Sequence, residues 1–326
     1  MTDEVFITRP LPEPGVALLE AAGLPTRVTP HDRPITTAEL LEGVASASAL
    51  LCMLTDRVDA QLLDRAPALR IIANFAVGFD NIDVTEARRR GIEVTTTPDV
   101  LTEATADLTW ALLLAAARQL GAGERMVRSG LWHGWGPAQL LGQPVAGRVL
   151  GIVGMGAIGQ AVARRAHGFG MPICYFNRRR VDPSVEASLG ARYVPLEELL
   201  EVSDVVSLHA PRNAESHHLI DAAALARMKP TAILINTGRG TLIDEAALVE
   251  ALREGVIAAA GLDVFEREPE LAPGLVDLDN VVLAPHLGSA SVDARGAMVR
   301  LCSENIIEVL GGRPAITPAP GPAISR

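Results

Sequence analysis

The chain has 326 residues, 48% of them hydrophobic, which is enough to build two domains with sizeable cores. A formal net charge of −10 argues against general binding to nucleic acid or to an anionic membrane surface. Cys52, Cys174 and Cys302 are far apart, odd in number and set in or beside apolar segments, so buried free thiols are expected rather than disulfides or a metal site. The start, MTDEVFITRP, lacks a basic stretch followed by an apolar one, so a cytoplasmic location is expected. Up to residue 100, apolar runs at 5–8, 49–54, 69–73 and 92–95 alternate with helical patterns at 15–22, 37–45, 59–64 and 84–90. That alternation predicts a parallel sheet with helices on both faces. Pro98-Asp99 then breaks the chain, and Asp99 is the predicted N-cap of a long helix over 101–120 with Glu103 in its first turn. This helix is apolar nearly all round, the mark of a buried element. Its most hydrophobic part, 108–117, is bounded by Asp107 and Arg118 and has about half the length needed to cross a bilayer. A loop is predicted over 121–147. A second α/β unit follows, with strands at 149–153, 173–176, 192–194, 205–208, 232–235, 258–264 and 281–284. A final helix over 292–310 is expected to return to the first domain, and the Pro- and Gly-rich tail from Gly311 is expected to be loosely ordered.

The most informative stretch is VLGIVGMGAIGQAVARRAHGFGMPICYFNRRR, residues 149–180. It reads as a strand, a Gly154-x-Gly156-x-x-Gly159 turn, a helix and a second strand, the context in which these glycines indicate a dinucleotide site. Gly154 permits the tight turn, Gly156 lets the backbone approach a pyrophosphate, and Gly159 lets the helix pack close to the strand. The helix start, from Gly156 through Ala157 and Ile158 to Gly159, offers unpaired N–H groups and a positive dipole end to the phosphates.

The end of the second strand bears on which dinucleotide binds. An NAD site places a carboxylate about 20 residues after the glycines to bond the ribose 2′-hydroxyl. Here Asn177-Arg178-Arg179-Arg180 stands in that place, and no acidic residue appears before Asp182. Permanently charged, bidentate guanidinium groups suit a 2′-phosphate, so NADP(H) is the preferred cofactor and NAD(H) the alternative. The competing reading is a solvated basic turn, since Arg is the common base of this chain and Lys229 its sole lysine.

Ligands of open parallel sheets bind beyond the carboxyl ends of the strands. Behind 232–235 come Asn236-Thr237-Gly238-Arg239-Gly240; behind 258–264 come Glu266, Arg267, Glu268 and Pro269; behind 281–284 come Pro285, His286 and Leu287-Gly288-Ser289. An Arg, a carboxylate and a His would therefore meet at the cofactor crevice. Hydride addition to a carbonyl needs a proton donor at the developing alkoxide, a role His performs near neutral pH. A neighbouring carboxylate favours its protonated form, and Arg can pair with a substrate carboxylate and polarise the adjacent carbonyl. On position alone His209, which follows 205–208, competes with His286, and Glu266 competes with Glu268.

Taken together, Ala76-Val77-Gly78-Phe79-Asp80-Asn81, GMGAIG, Asn236-Thr237-Gly238-Arg239-Gly240, Gly261-Leu262-Asp263-Val264-Phe265-Glu266-Arg267-Glu268-Pro269 and Pro285-His286-Leu287-Gly288-Ser289 resemble the D-isomer-specific 2-hydroxyacid dehydrogenase family over about residues 5 to 312. The resemblance implies two doubly wound parallel-sheet α/β domains with an interdomain cleft. One is a flavodoxin-like substrate domain of residues 1–99 and 288–326, the other a Rossmann cofactor domain of residues 100–287. It implies Arg239, Glu268 and His286 as the catalytic residues, with His209 left to line the cofactor cleft. The backbone N–H groups of Val77 and Gly78 would hold the substrate carboxylate, with Leu54 beside them. Thr105, Ala210, Pro211, Thr237, Gly238, Asp263 and Gly288 fall where the family contacts its dinucleotide.

Within the family the chain is most similar to the glyoxylate/hydroxypyruvate reductases, by its arginine cluster and by the segment Gly130-Leu131-Trp132-His133-Gly134-Trp135-Gly136-Pro137. In that subgroup the residue matching Trp135 reaches the partner subunit's active site, so a functional homodimer is implied. Family members that oxidise formate carry Gln at the position of Glu268, and those that oxidise phosphite carry Lys at the position of Val77. Both readings are disfavoured. The alternatives are a reductase of a bulkier 2-oxo acid and a dinucleotide-sensing corepressor-like binding protein.

Overall fold

A computed structural model describes residues 3–321. The chain divides into two units, Met1–Leu101 with Ala290–Arg326, and Thr102–Ser289. Each is built on one parallel sheet.

The first unit carries β1 (Val5–Ile7), β2 (Thr26–Val28), β3 (Ala49–Cys52), β4 (Ile71–Asn74) and β5 (Glu93–Thr95). Their order is β2-β1-β3-β4-β5 with every pairing parallel, the flavodoxin-like arrangement. β1, β3 and β4 are buried along their whole length. Helices cover both faces of such a sheet, so its strands are apolar throughout rather than alternating. Side-chain caps start the short helices: Thr36 and Glu39 form a reciprocal capping box, and Asp59 and Asp83 accept from the first turns of theirs. β2 escapes the sequence reading because its three residues, Thr-Arg-Val, form a half-exposed edge strand with no apolar run. The helix Val292–Leu310 packs in this unit, where the Ser303 hydroxyl donates to the Gly15 carbonyl at 3.3 Å.

The expectation of a loose tail is corrected over the described residues. Asn305 Oδ1 accepts from the N–H groups of Ile316 and Thr317 at 2.9 and 3.0 Å. The Thr317 hydroxyl donates to Thr96 O at 2.7 Å, and Ala319 N–H donates to Val94 O at 2.7 Å. Backbone carbonyls in and just after β5 and the Asn305 side chain thus bond the segment, and Ala319 is buried. These hydrogen bonds hold the segment despite its proline content, and sequence composition does not reveal them. Residues 322–326 lie outside the described part.

The second unit carries β6 (Leu150–Val153), β7 (Ile173–Phe176), β8 (Ala191–Tyr193), β9 (Val205–Leu208), β10 (Ile233–Asn236), β11 (Ala259–Leu262) and β12 (Val281–Leu283). The order is β12-β11-β10-β9-β6-β7-β8, all parallel. This is the Rossmann order extended by one strand, and its direction reverses between β6 and β9, where such sheets bind dinucleotides. The long helix is Thr102–Ala117. Its Trp110 donates to Val162 O at 3.1 Å and stacks on Phe169 with ring centroids 4.6 Å apart. Two expectations fail here. Asp99 has φ +66° in a turn before the helix, so it is not the N-cap. The predicted loop begins instead with a helix, Leu120–Arg128, entered through Gln119 at φ +51°. None of that helix is buried, so it has no core-facing apolar stripe for a sequence to reveal. Among the described residues no helix is long and apolar enough to cross a membrane.

Candidate active site

The glycine turn after β6 is built as a phosphate cradle. Gly154 has φ +100°, and a Cβ there would stand 2.6 Å from Ala210 N. A Cβ on Gly159 would stand 2.2 Å from Gly154 O, so helix and turn touch backbone to backbone. At Gly156, by contrast, a Cβ would meet nothing within 4 Å. Gly156 is the N-cap of the helix Ala157–Ala166, and no side chain caps it. Uncapped first-turn N–H groups beside open space suit an anion such as a pyrophosphate. Asn177 Oδ1 accepts from Met155 N–H at 2.7 Å, tying the end of β7 to this turn.

The three arginines after β7 are not equivalent. Arg180 makes a two-point pair with Glu186 at 2.6 Å, and Glu186 also accepts from Tyr175 OH. Arg178 pairs at 3.0 Å with the exposed Glu215. Arg179 is exposed, and no described residue bonds it. Arg179, and Arg178 once it leaves its solvent-exposed pair with Glu215, could meet a 2′-phosphate, while Arg180 is tied to Glu186.

At the end of β10, the buried Asn236 folds the loop that follows: its Nδ2 donates to Arg239 O at 2.8 Å and its Oδ1 accepts from Gly238 N–H at 3.0 Å. Arg239 Nη1 donates to Gly238 O at 2.8 Å. The next residue, Gly240, lies so close to the Phe265 carbonyl that a Cβ would sit 1.9 Å from its carbon. The Arg239 loop thus packs directly on the loop that bears Glu268. Glu245 clamps that second loop, accepting from the N–H groups of Glu266 at 2.6 Å and Ala272 at 3.2 Å, one on either side of Glu268.

Beyond β12, His286 takes φ +56°, a conformation uncommon outside glycine and often found at functional positions. The buried Asp263 holds the turn, accepting from Leu287 N–H at 2.6 Å and Gly288 N–H at 2.8 Å. Burial pushes the Asp263 carboxyl up, against the opposing pull of those N–H groups and of His286. Thr105 donates to Gly288 O at 3.1 Å. His286 Nδ1 lies 2.8 Å from Glu268 Oε2, and Glu268 Oε1 accepts from Phe265 N–H at 3.0 Å. Burial raises the Glu268 carboxyl, but the His286 hydrogen bond and charge, the Phe265 N–H and the Arg239 charge together hold it below its ordinary value.

The two competitors are placed elsewhere. Glu266 Oε1 bonds His218 at 3.0 Å. His209 Nε2 lies 2.8 Å from the Ser207 hydroxyl, its Nδ1 lies 3.5 Å from the Thr237 hydroxyl, and burial pushes it down to about 4. Thr237 also meets Thr109 at 2.9 Å. Ala210, whose N–H flanks Gly154, and Pro211 continue the turn after β9.

In the first unit, Asn74 Nδ2 donates to Gly78 O at 2.7 Å, and Asn81 Nδ2 donates to Met53 O and Asp56 O at 3.1 and 3.0 Å. These amides pin the turn with Val77 and the one with Leu54, both partly exposed. Trp135 is 85% exposed. Sequence reasoning quoted Asn81 and Asn236 in motifs without a role and did not single out Asn74 or Glu245. Asn236 follows an apolar run and was open to notice; a buried first-turn Glu leaves no periodic signal.

The D-isomer specific 2-hydroxyacid dehydrogenase, NAD binding domain, family matches residues 110–288. The chain belongs to the D-isomer specific 2-hydroxyacid dehydrogenases. It is thus an NAD(P)-dependent dehydrogenase of small 2-oxo and 2-hydroxy acids, closely related to the glyoxylate/hydroxypyruvate reductases. It is 51% identical over 316 residues to a glyoxylate reductase from Thermococcus onnurineus, covering 96% of this chain and 94% of that one. The TT0316 protein from Thermus thermophilus superposes with a TM-score of 0.91 at 48% identity, over 97% of this chain and 100% of that one. An NADPH-dependent glyoxylate/hydroxypyruvate reductase from Sinorhizobium meliloti, solved with NADP and malonate, superposes with a TM-score of 0.84 at 36% identity, over 98% and 97% of the two chains. The dehydrogenase therefore pairs an anion-ready glycine turn with a His–carboxylate pair on one sheet.

Proposed function

We propose that the enzyme reduces glyoxylate and hydroxypyruvate to their 2-hydroxy acids, with NADPH as preferred cofactor and NAD(H) as a weaker one. The observation that carries this reading is the His286–Glu268 pair beyond the strand ends, beside the loop of Arg239. When bound, the nicotinamide supplies the hydride. Residues of this chain do the rest. Gly156, Ala157, Ile158 and Gly159 bind the pyrophosphate through their N–H groups, and Arg178 and Arg179 bind the 2′-phosphate. Arg239 holds the substrate carboxylate and polarises the carbonyl, and the reading assigns further carboxylate contacts to the N–H groups of Val77 and Gly78. His286 gives its proton to the carbonyl oxygen, and Glu268 orients the imidazole and favours its charged form. The names of the related enzymes support the substrate class.

The active form is assigned as a homodimer. Leu120, Val127, Leu131, Trp132, Trp135 and Leu141 are all exposed within one stretch of chain, an apolar surface suited to a second copy. Steady-state rates with NADPH and NADH against glyoxylate, hydroxypyruvate, pyruvate and phenylpyruvate test the reading. A high NADPH-dependent kcat/KM on the first two is expected. Activity confined to bulky acids or to NADH would overturn the substrate or cofactor assignment. His286→Ala should cut turnover by about 10²-fold or more while leaving cofactor affinity in place.

A further inference from the structure

A second cluster of ionisable side chains lies in the cofactor unit, and hydride transfer does not use it. His217 and His218 sit in the segment after β9, and Glu266 follows β11. The two imidazoles face one another with centroids 3.9 Å apart, tilted by 31°. His218 Nε2 lies 3.0 Å from Glu266 Oε1, and one donor atom from each of the three residues lies within 4.8 Å of the others. The Glu266 and Glu268 carboxylates are thus divided between two histidines, His218 and His286.

The backbone around the cluster is fixed. His218 takes φ +50°, and its N–H donates to Thr241 O at 2.8 Å. Glu266 N–H donates to the buried Glu245 carboxylate at 2.6 Å. His217 is exposed and its side chain can turn, while His218 and Glu266 are half-buried.

We propose that His217, His218 and Glu266 bind a divalent late transition-metal ion of the Zn2+ class. Two imidazole nitrogens and one carboxylate oxygen are a borderline donor set that suits Zn2+ or Ni2+ and not Mg2+ or Ca2+, which take oxygen shells. Zn–N and Zn–O bonds of about 2.0–2.2 Å in tetrahedral array set donor atoms ~3.4 Å apart. His218 Nε2 and Glu266 Oε1, 3.0 Å apart, need only move apart by a few tenths of an ångström as the ion replaces their hydrogen bond, and rotation of the exposed His217 closes the third edge. Water completes the fourth position, as in sites with three protein ligands. The ion joins the segment after β9 to the loop after β11 and adds its binding free energy to the stability of the folded chain.

The test uses the full chain, stripped by chelation. Zn2+ is titrated by calorimetry, and Co2+ by visible absorption. The proposal expects one saturable equivalent, the intense visible bands of tetrahedral Co2+, and a Tm that rises with Zn2+ and falls back on chelation. His217→Ala, which touches no part of the hydride-transfer machinery, should weaken Zn2+ binding by about 10-fold or more and leave reductase activity in metal-free buffer unchanged. Glu266→Gln should weaken binding likewise. Absence of saturable binding by the wild-type chain, or unchanged affinity in His217→Ala, would overturn the proposal.

Discussion

Glu268 Oε2 stands 2.8 Å from His286 Nδ1, joining the segment after β11 to the segment after β12, and no described residue bonds His286 Nε2. A carboxylate on Nδ1 fixes the tautomer and leaves Nε2 as the atom that the proposed mechanism uses to donate the proton. Glu268→Gln keeps the shape but removes the charge, so kcat should fall by about 10²-fold with little change in NADPH affinity. The sign of the pH effect follows from the lowered Glu268 carboxyl. A carboxyl depressed by folding contributes stability above its unfolded value and loses it as pH falls through the folded one. The Glu268 contribution is therefore complete above the ordinary carboxyl value of 4.5 and is lost as pH falls through the lower folded value. Thermal midpoints of wild type and Glu268→Gln should converge under acid. Midpoints that stay parallel would contradict the pairing.

The arginine turn makes a contrast within three consecutive residues. All three are exposed, but Arg178 makes one contact to the exposed Glu215, no described residue bonds Arg179, and Arg180 is held by the buried Glu186 at two points. Replacing Arg178 and Arg179 with Ala should raise the Kd for NADPH by about 10-fold or more and leave NADH nearly unchanged, since charge-assisted hydrogen bonds contribute about 1.5–3 kcal/mol each. Arg180→Ala should instead lower Tm with the preference intact. Equal losses for both cofactors in the double variant would remove the 2′-phosphate assignment.

Legibility followed the physics of each element. β1, β3, β4 and β9 are buried on both faces and stand out as apolar runs. β2 and the helix Leu120–Arg128 have no such signature, because neither buries a residue fully. At the site, the positions of Arg239, Glu268 and His286 behind strand ends could be read. Position alone left open which of Glu266 and Glu268 faces His286, because both follow β11 within three residues of one another, and only the family resemblance implied Glu268. Loop conformation settles it, and that conformation depends on Glu245, whose hydrogen bonds reach 21 and 27 residues along the chain.

Glu245 is accordingly a positioning residue. Burial pushes its carboxyl up, against the two N–H groups it accepts. Glu245→Gln leaves one of those N–H groups without an acceptor, a cost of about 1–3 kcal/mol. The loop with Glu268 should loosen: kcat should drop several-fold and Tm should fall, while the Kd for NADPH holds. Unchanged kcat together with unchanged Tm would show that the clamp is dispensable.

His209 gives a second pH signature, opposite in chemical type to Glu268. Burial lowers it from 6.5 to about 4, so between those values the unfolded chain binds a proton that the folded chain refuses. Stability should fall as pH drops from 6.5 toward 4. His209→Asn should flatten this part of the profile in denaturant titrations. An identical slope in the variant would place the loss on other groups.

The dimer assignment is tested most sharply by mixing two variants, His286→Ala and Trp135→Ala. His286→Ala lacks the proposed proton donor, and Trp135→Ala lacks the aromatic side chain that is 85% exposed in the single chain. If Trp135 completes the site of a second copy, a mixed dimer contains one site with both residues intact: His286 from the Trp135→Ala chain and Trp135 from the His286→Ala chain. Co-refolding the two should then restore NADPH-dependent activity that neither homodimer has. If Trp135 serves its own chain, each site in the mixed dimer lacks one residue and activity stays absent. If Trp135→Ala alone retains full activity while light scattering still reports a dimer, the side chain is an interface anchor and contributes nothing to the chemistry.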